Sequence, residues 1–144
     1  IAISDNVGEA DLFYYHEKSP INTINEKVKN FQKAPLQSVK KIKTNTLNNV
    51  INTSPFKNNN VDFLSIDVEG HELNVLHGFD ILKYSPKVIV VEYLDLSVNK
   101  LEIKNLDLKK IFETEIYSFL IKNNYTLVNS LYSDLVFIEN NFRE

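Results

Sequence analysis

Residues 61–79 read VDFLSIDVEGHELNVLHGF, and this stretch decides how the chain is expected to fold. Apolar residues occupy both odd and even positions of its first half, which predicts a strand that is buried on both faces. Gly70 ends the apolar run, and the residues after it have the spacing of a helix with one apolar face. Carboxylates follow closely where the strand ends: Asp67, Glu69 and Glu72. A strand this apolar has no structural use for an acid at its end, so Asp67 is the first candidate for a functional group.

The size and charge of the chain exclude several classes of protein. With 144 residues, 43% of them hydrophobic, and nine Phe, we expect residues 1–144 to form a single domain with a real core. The net charge of −3, with scattered basic residues, argues against nucleic-acid binding. Without cysteine there is no disulfide, zinc-thiolate site or thiol catalysis. No apolar run approaches the ~20 residues of a membrane span. The absence of cysteine fits a reducing, cytoplasmic setting, which we expect for this chain.

The chain opens with IAISD, which has the pattern of the second half of a buried strand. It lacks the basic start and the longer apolar region of a signal peptide. We therefore expect these residues to be an internal start within a longer protein.

Strands and helices alternate along the rest of the chain. Predicted strands are residues 1–4, 11–16, 38–43, 61–68, 87–93, 125–128 and 134–139. Three helices are predicted. The first follows a cap at Thr44 or Thr46, and the second begins near residue 71 with Leu73, Leu76 and Phe79 on one face. The third spans residues 106–123. Residues 18–37 are predicted as a polar, Asn-rich loop that could include one helical turn. The lysines of residues 38–43 suggest a short edge strand.

This order predicts an α/β fold with a mostly parallel sheet, helices on both faces and an antiparallel hairpin at the carboxyl end. In such sheets, ligands bind beyond the carboxyl ends of the strands. Asp67 and Glu92 each end a predicted strand, and neighbouring strands would bring them close together. Two such acids can act as a general base, bind a divalent cation or hold a positive group. A structural reading also stays open, because the helix dipole favours an acid such as Glu72 in the first turn.

Other catalytic motifs do not fit. FLSIDVE resembles an apolar strand ending in the acid of a nucleotide-binding site, but the chain has no G-x-x-x-x-G-K-[ST] loop. Its few glycines form neither a G-x-G-x-x-G loop nor a G-x-S-x-G elbow. His71 and His77 fit solvated helix positions better than metal ligands.

The segments FLSIDVEGHELNVLHGF and KVIVVEY together resemble the signature of the FkbM-type methyltransferases. That pattern is an apolar strand, then I-D-x-E-G-x-E, a helix ending in L-x-G, and a strand ending in Glu. The matching positions are Asp67, Glu69, Gly70, Glu72, Leu76, Gly78 and Glu92. IAISD resembles the third strand of the family, and VKKIKTNTLNNVI resembles a segment in which acids are usual where Asn48 and Asn49 stand.

The resemblance implies S-adenosylmethionine as methyl donor and a hydroxyl of a sugar, polyketide or related metabolite as acceptor. It also implies a Rossmann-like methyltransferase sheet, of which residues 1–144 would be the carboxyl-terminal portion, lacking the first two strands. Those strands would lie between residues 1–4 and residues 61–68, so the open sheet would need cover, for example from a homo-oligomer.

The resemblance also implies roles for single residues. Asp67 would be the base or the electrostatic partner of the sulfonium, with Glu69 and Glu92 as second candidates or as ligands of a divalent cation. Ser4 and Asp5 would lie near the adenine. The substrate side would include Gly70, His71, Glu72 and Tyr93. The insert of residues 18–37 and the loop of residues 93–99 would shape the acceptor site.

Two other functions stay open. The chain could be a non-catalytic α/β module that cannot bind the cofactor alone, which the missing Gly-rich loop favours. It could also be a magnesium-dependent phosphatase or hydrolase, since SIDVEG loosely resembles the D-x-D strand end of the haloacid-dehalogenase-type phosphatases. In that reading Asp67, Glu69 and Glu92 would surround the ion.

Overall fold

The computed structural model describes residues 1–96 and 108–143, which form a mixed α/β structure. The strands are β1 (Ala2–Ser4), β2 (Gly8–Tyr14), β3 (Ser38–Thr46), β4 (Phe63–Ile66), β5 (Val88–Glu92), β6 (Tyr125–Leu131) and β7 (Asp134–Glu139). The helices are α1 (Glu26–Phe31), α2 (Leu47–Thr53), α3 (Glu72–His77), α4 (Ile81–Tyr84), α5 (Leu108–Phe112), α6 (Glu115–Lys122) and α7 (Asn140–Arg143).

The chain divides into two compact units, each with one small mixed sheet. Unit 1 comprises residues 1–59 and 68–80, and unit 2 comprises residues 60–67 and the described residues from 81 onward. The predicted α/β class is confirmed at this level, while the mostly parallel single sheet is replaced by two sheets that each contain one parallel pair. The single-domain assignment stays a prediction.

The sheet of unit 1 has the order β1-β3-β2, with β1 parallel and β2 antiparallel to β3. Strand β3 is nine residues long and is central in the strand order, because β1 pairs with residues 44–46. The lysine-rich residues 38–43, predicted as a short edge strand, pair with β2 alone among the described strands. Their edge position is therefore found, whereas the extension of the strand to Thr46 was not predicted. Its lysines are accommodated by neighbours on β2. The Lys41 Nζ lies 2.7 Å from the Asp11 carboxylate, and the Lys40 Nζ lies 3.1 Å from the centre of the Tyr14 ring.

The helices of unit 1 begin at side-chain caps. The Asn25 side chain accepts hydrogen bonds from Lys27 N and Val28 N at the start of α1, inside the segment predicted as a loop. Thr46 caps α2 by accepting from Asn49 N at 3.1 Å, which decides between the two predicted caps. Helix α3 packs against β1. Its buried face carries Glu72, Val75 and Leu76, while Leu73, predicted on that face, is only half-buried.

The sheet of unit 2 has the order β4-β5-β7-β6. Strands β4 and β5 are parallel, and β7 is antiparallel to both β5 and β6, so the predicted carboxyl-terminal hairpin is confirmed. Alternate residues of β5 and β7 point into the core. The fully buried apolar side chains of this unit include Ile89, Val91, Ile111, Leu120, Leu135 and Phe137.

Two sequence predictions for unit 2 are corrected. Strand β4 is not buried on both faces: Ile66 is 3% exposed, but Phe63 is 59% exposed. Periodicity reports where apolar residues stand, and only packing decides which of them are covered. The helix predicted over residues 106–123 is two helices in its described part, α5 and α6, which meet at Thr114. Its first two residues lie outside the described ranges.

Within residues 1–96 and 108–143, no helix has the length and apolar character that crossing a membrane requires.

Candidate functional site

Two acids meet at the carboxyl ends of β4 and β5. The parallel register pairs Ile66 with Val91, so the next residues, Asp67 and Glu92, stand level at the same edge of the sheet. A carboxylate oxygen of Asp67 lies within 4.8 Å of one of Glu92. Asp67 is exposed and Glu92 is partly buried. The proximity predicted from the two strand ends is therefore found within unit 2.

An acid pair of this kind has several chemical uses. A carboxylate can accept a proton from a bound hydroxyl. Two carboxylates this close can also attract a positively charged group, or supply oxygen ligands to a hard divalent cation. Exposed acidic groups are common without an ion, so their spacing does not by itself select the last use.

The loop that follows Asp67 has an unusual backbone conformation. Glu69 has a φ of 55° and Gly70 a φ of 88°, both in the left-handed region. A non-glycine residue adopts this region only at a cost in free energy. Two consecutive left-handed residues make a sharp turn in the backbone just before α3.

Glu72 stabilises this loop from inside unit 1. Its side chain is buried, with 3% of its surface exposed. Its Oε1 accepts hydrogen bonds from the backbone N–H groups of Val68, at 3.1 Å, and Gly70, at 2.9 Å. The carboxylate that was predicted on the substrate side therefore contacts the backbone of its own loop.

Two residues of the insert contact the same loop. The Thr23 hydroxyl donates a hydrogen bond to the Glu69 carbonyl at 2.8 Å, and the Asn25 side-chain amide donates to the Gly70 carbonyl. Sequence reasoning did not single out either residue. Asn25 could have been recognised as a helix cap before EKVKNF, but no local signal reports a contact with a loop 45 residues away.

A second polar cluster joins the end of β1 to the start of α3. The Ser4 hydroxyl is buried and lies 2.9 Å from both the Asp5 carboxylate and the His71 Nε2. The Asn74 amide donates to the other Asp5 oxygen at 3.1 Å. Because a serine hydroxyl has one proton, and Ser4 donates it to Asp5, the His71 Nε2 acts as donor to Ser4.

The surroundings of this cluster shift the pKa values of Asp5 and His71. The hydrogen bond from Ser4 lowers the pKa of the Asp5 carboxyl, so this exposed group is ionised at neutral pH. Burial lowers the pKa of the His71 imidazole, and the negative charge of Asp5 acts in the opposite direction. His71 is therefore neutral at pH 7, and its Nδ1 is the acceptor nitrogen.

The remaining predicted residues have simpler surroundings. The Tyr93 N–H donates to the Ser133 carbonyl at 2.7 Å, directly after β5. From residue 97 on, the loop predicted to shape the acceptor site lies outside the described residues. Asn48, which stands where the family has an acid, accepts a hydrogen bond from Asp80 N at 2.7 Å.

The structure thus groups the predicted residues by unit. In unit 2 it brings together the side chains of Asp67 and Glu92. In unit 1, Glu69, Gly70 and Glu72 share one loop, and His71 joins Ser4 and Asp5 at the end of β1.

A family model described as "Methyltransferase FkbM domain" matches residues 1–127 of the 144-residue chain. The resemblance inferred from the I-D-x-E-G-x-E segment is thereby confirmed. No curated protein and no solved structure gave a significant match.

Proposed function

The chain belongs to the FkbM methyltransferase family, and on this premise we propose that it transfers a methyl group from S-adenosylmethionine to a hydroxyl oxygen of a small molecule. Family membership supports methyl transfer as the activity. The methyl donor and the hydroxyl acceptor, such as a sugar or a polyketide, are the further content of the proposal.

One observation carries this proposal. The carboxylates of Asp67 and Glu92 lie within 4.8 Å of each other at the carboxyl ends of two paired parallel strands, where open α/β sheets bind their ligands. The strand order β4-β5-β7-β6, two parallel strands followed by a hairpin, supports a Rossmann-like methyltransferase sheet.

The chemistry of the side chains fits S-adenosylmethionine in two respects. The exposed, ionised Asp5 carboxylate can accept hydrogen bonds from an adenine amino group or from ribose hydroxyls. The negative charges of Asp67 and Glu92 complement a sulfonium cation. These properties agree with the roles that the resemblance implies, Ser4 and Asp5 for the adenosine part and Asp67 for the methyl donor.

The protein's contribution to the reaction is position and proton acceptance. When bound, S-adenosylmethionine would supply an electrophilic methyl carbon, which an acceptor oxygen can attack in line as S-adenosylhomocysteine leaves. Asp67 takes the hydroxyl proton of the acceptor as the new carbon–oxygen bond forms. Glu92 lies next to that carboxylate and is a second candidate for the base. The resemblance assigns orientation of the acceptor to the substrate-side residues Gly70, His71 and Tyr93. A divalent cation held by the two carboxylates would be an alternative means of orienting the same oxygen.

The test is the Asp67→Asn variant. We expect its methyl transfer to fall by about 10²–10⁴-fold, because the amide cannot accept the proton that the carboxylate takes. The measurement is the rate of methyl transfer from radiolabelled S-adenosylmethionine to a panel of sugars and polyketide alcohols, with circular dichroism to check the fold.

Asp62→Asn is the matched control. Asp62 is an exposed aspartate just before β4, at the opposite end of the strand from Asp67, with its carboxylate 2.6 Å from Lys87 Nζ. We expect this variant to retain the wild-type rate. Wild-type turnover by Asp67→Asn would refute the assignment, and failure of the wild type to bind S-adenosylhomocysteine in a calorimetric titration would favour the non-catalytic module.

A further inference from the structure

We propose that Thr23 and Asn25, from the polar insert between β2 and β3, are positioning residues. They hold the loop of residues 68–71 in the conformation from which Glu69, a second candidate after Asp67 for the base, acts. The functional part of this inference rests on the proposed methyl transfer. Its structural part, that two insert side chains maintain the loop, can be tested without any activity.

The first support is that the insert donates hydrogen bonds to two consecutive carbonyl groups of the loop. The Glu69 carbonyl accepts from the Thr23 hydroxyl at 2.8 Å, and the Gly70 carbonyl accepts from the Asn25 amide. Thr23 is 1% exposed, and its Oγ1 also accepts from Asn25 N at 2.9 Å. The two insert residues are thus hydrogen-bonded to each other as well as to the loop.

The second support is close packing of the insert on Gly70. A Cβ at this position would lie 2.3 Å from Val28 Cγ2 and 3.2 Å from Asn25 Nδ2. Such distances leave no space for a side chain, so the start of α1 lies directly against the loop. Hydrogen bonding and packing from the same segment therefore both act on Gly70.

The third support is that the N–H groups of the loop are also hydrogen-bonded, by a residue that follows the loop in sequence. Glu72 accepts from Val68 N and Gly70 N, while the insert donates to the carbonyls of residues 69 and 70. Three side chains thus determine a loop conformation that isolated peptides rarely adopt. A conformation determined in this way is present before any ligand binds.

The identity of residue 69 points to function. Glycine would occupy a φ of 55° at no steric cost, yet the chain has a glutamate there. Strained backbone conformations cluster at functional sites. Among the described non-glycine residues with a positive φ, Glu69 is the one with a carboxylate. We infer that the insert stabilises this conformation because the Glu69 carboxylate is needed at that place.

The chain allows matched variants. Asn25→Asp keeps a side-chain oxygen to cap Lys27 N and Val28 N, but removes the amide donor to Gly70. Thr23→Val removes the hydroxyl with little change of shape, whereas Thr23→Ser keeps it. Comparison of these variants separates the hydrogen bonds to the loop from helix capping and from general packing.

The experiment measures amide hydrogen exchange by NMR in the 144-residue chain, with the Cα chemical shift of Glu69 as the report on its backbone. In Asn25→Asp and Thr23→Val we expect exchange at Val68 and Gly70 to rise roughly tenfold, as for the loss of one hydrogen bond. Exchange at Thr44, in β3, should stay unchanged, and Thr23→Ser should restore the wild-type rates and shift.

Unchanged exchange at Val68 and Gly70, or an equal rise at Thr44, would overturn the structural part. If Asn25→Asp does not fold, the Thr23 pair decides the question. Methyl transfer tests the functional part: Thr23→Val should lower kcat and Thr23→Ser should restore it. Faster loop exchange with an unchanged kcat would overturn the positioning role. If the wild type transfers no methyl group, the proposed function fails, while the exchange data still decide whether the insert holds the loop.

Discussion

Gly78 shows how a single residue can be required by close contact between two elements. It follows α3, and a Cβ built on it would lie 2.1 Å from the Ser4 carbonyl oxygen and 3.2 Å from Asp5 Cα. Both contacts are with backbone, which cannot move aside as a flexible side chain could. The glycine of the L-x-G element therefore allows α3 to approach the end of β1, where Ser4 and Asp5 stand.

We expect Gly78→Ala to lower the free energy of unfolding by about 1–3 kcal/mol, because the added methyl group must displace the end of β1 or of α3. Chemical denaturation measures this change. Gly8→Ala is the control, since a Cβ there would lie 3.5 Å from its nearest neighbour, an ordinary contact. The control should change stability by no more than about 0.5 kcal/mol. Equal stability of the two variants would show that the backbone contact at Gly78 is not tight.

The acids of the I-D-x-E-G-x-E segment illustrate what residue types can and cannot predict. Their spacing identified the family, but it did not distinguish the exposed Asp67 from the buried Glu72. Glu72 lies in the first turn of α3, where the helix dipole favours an acid. Its hydrogen bonds to Val68 N and Gly70 N depend on how the loop turns back, and residue spacing does not report this.

At the scale of elements, the break between α5 and α6 has a local cause. The Thr114 hydroxyl accepts from Tyr117 N at 3.0 Å and donates to the Ile111 carbonyl at 2.7 Å. It thus ends one helix and begins the next. The apolar stripe continues across the break, with Ile111 and Leu120 buried, so periodicity predicted one helix where a cap makes two.

We expect Thr114→Ala to cost about 1 kcal/mol of stability, the usual effect of removing a threonine cap. Thermal unfolding followed by circular dichroism measures it. Thr114→Ser keeps both hydrogen bonds and should remain close to the wild type. If Thr114→Ala matched the wild type, the hydroxyl would not stabilise the start of α6.

For the strands, residue pattern predicted their positions in the chain but not all of their pairing and burial. Residue pattern located approximately all seven strands that the described part of the chain contains. The hairpin of β6 and β7 was predicted because its strands are neighbours in sequence. The extension of β3 to Thr46, where it pairs with β1, and the exposed face of β4 were missed. Both depend on which distant segments pair or pack, and hydrophobic periodicity does not report that.

At the scale of the whole molecule, side chains whose pKa values differ between the folded and unfolded chain determine the pH range of greatest stability. On the acid side, burial lowers the pKa of His71 below 6.5, and the Ser4 hydrogen bond lowers that of Asp5 below 3.8. In both cases the unfolded chain binds protons first, so stability falls as the pH decreases through these values. On the alkaline side, burial raises the pKa of Tyr125 from 10.0 to about 12, and its hydroxyl donates to the Pro86 carbonyl.

We therefore expect a plateau of stability between about pH 6.5 and pH 10. Above it, the unfolded chain loses the Tyr125 proton first, so stability falls as the pH rises from 10.0 towards about 12. Urea denaturation across this range measures the profile. His71→Gln should flatten the decline that begins just below pH 6.5 and leave the alkaline decline intact. An unchanged acid decline in His71→Gln would show that His71 is not its cause.

The sequence by itself determined the family, the α/β class, a helix cap at either Thr44 or Thr46, and the pair of acids that end β4 and β5. These follow from signals that act over a few residues: hydrophobic period, capping chemistry and a motif of fixed spacing. Only the tertiary structure decided which acid is buried, which strand is central, and that Thr23 and Asn25 hold a loop 45 or more residues away. Contacts over such separations depend on how the chain packs as a whole, and no local pattern of residues encodes that packing.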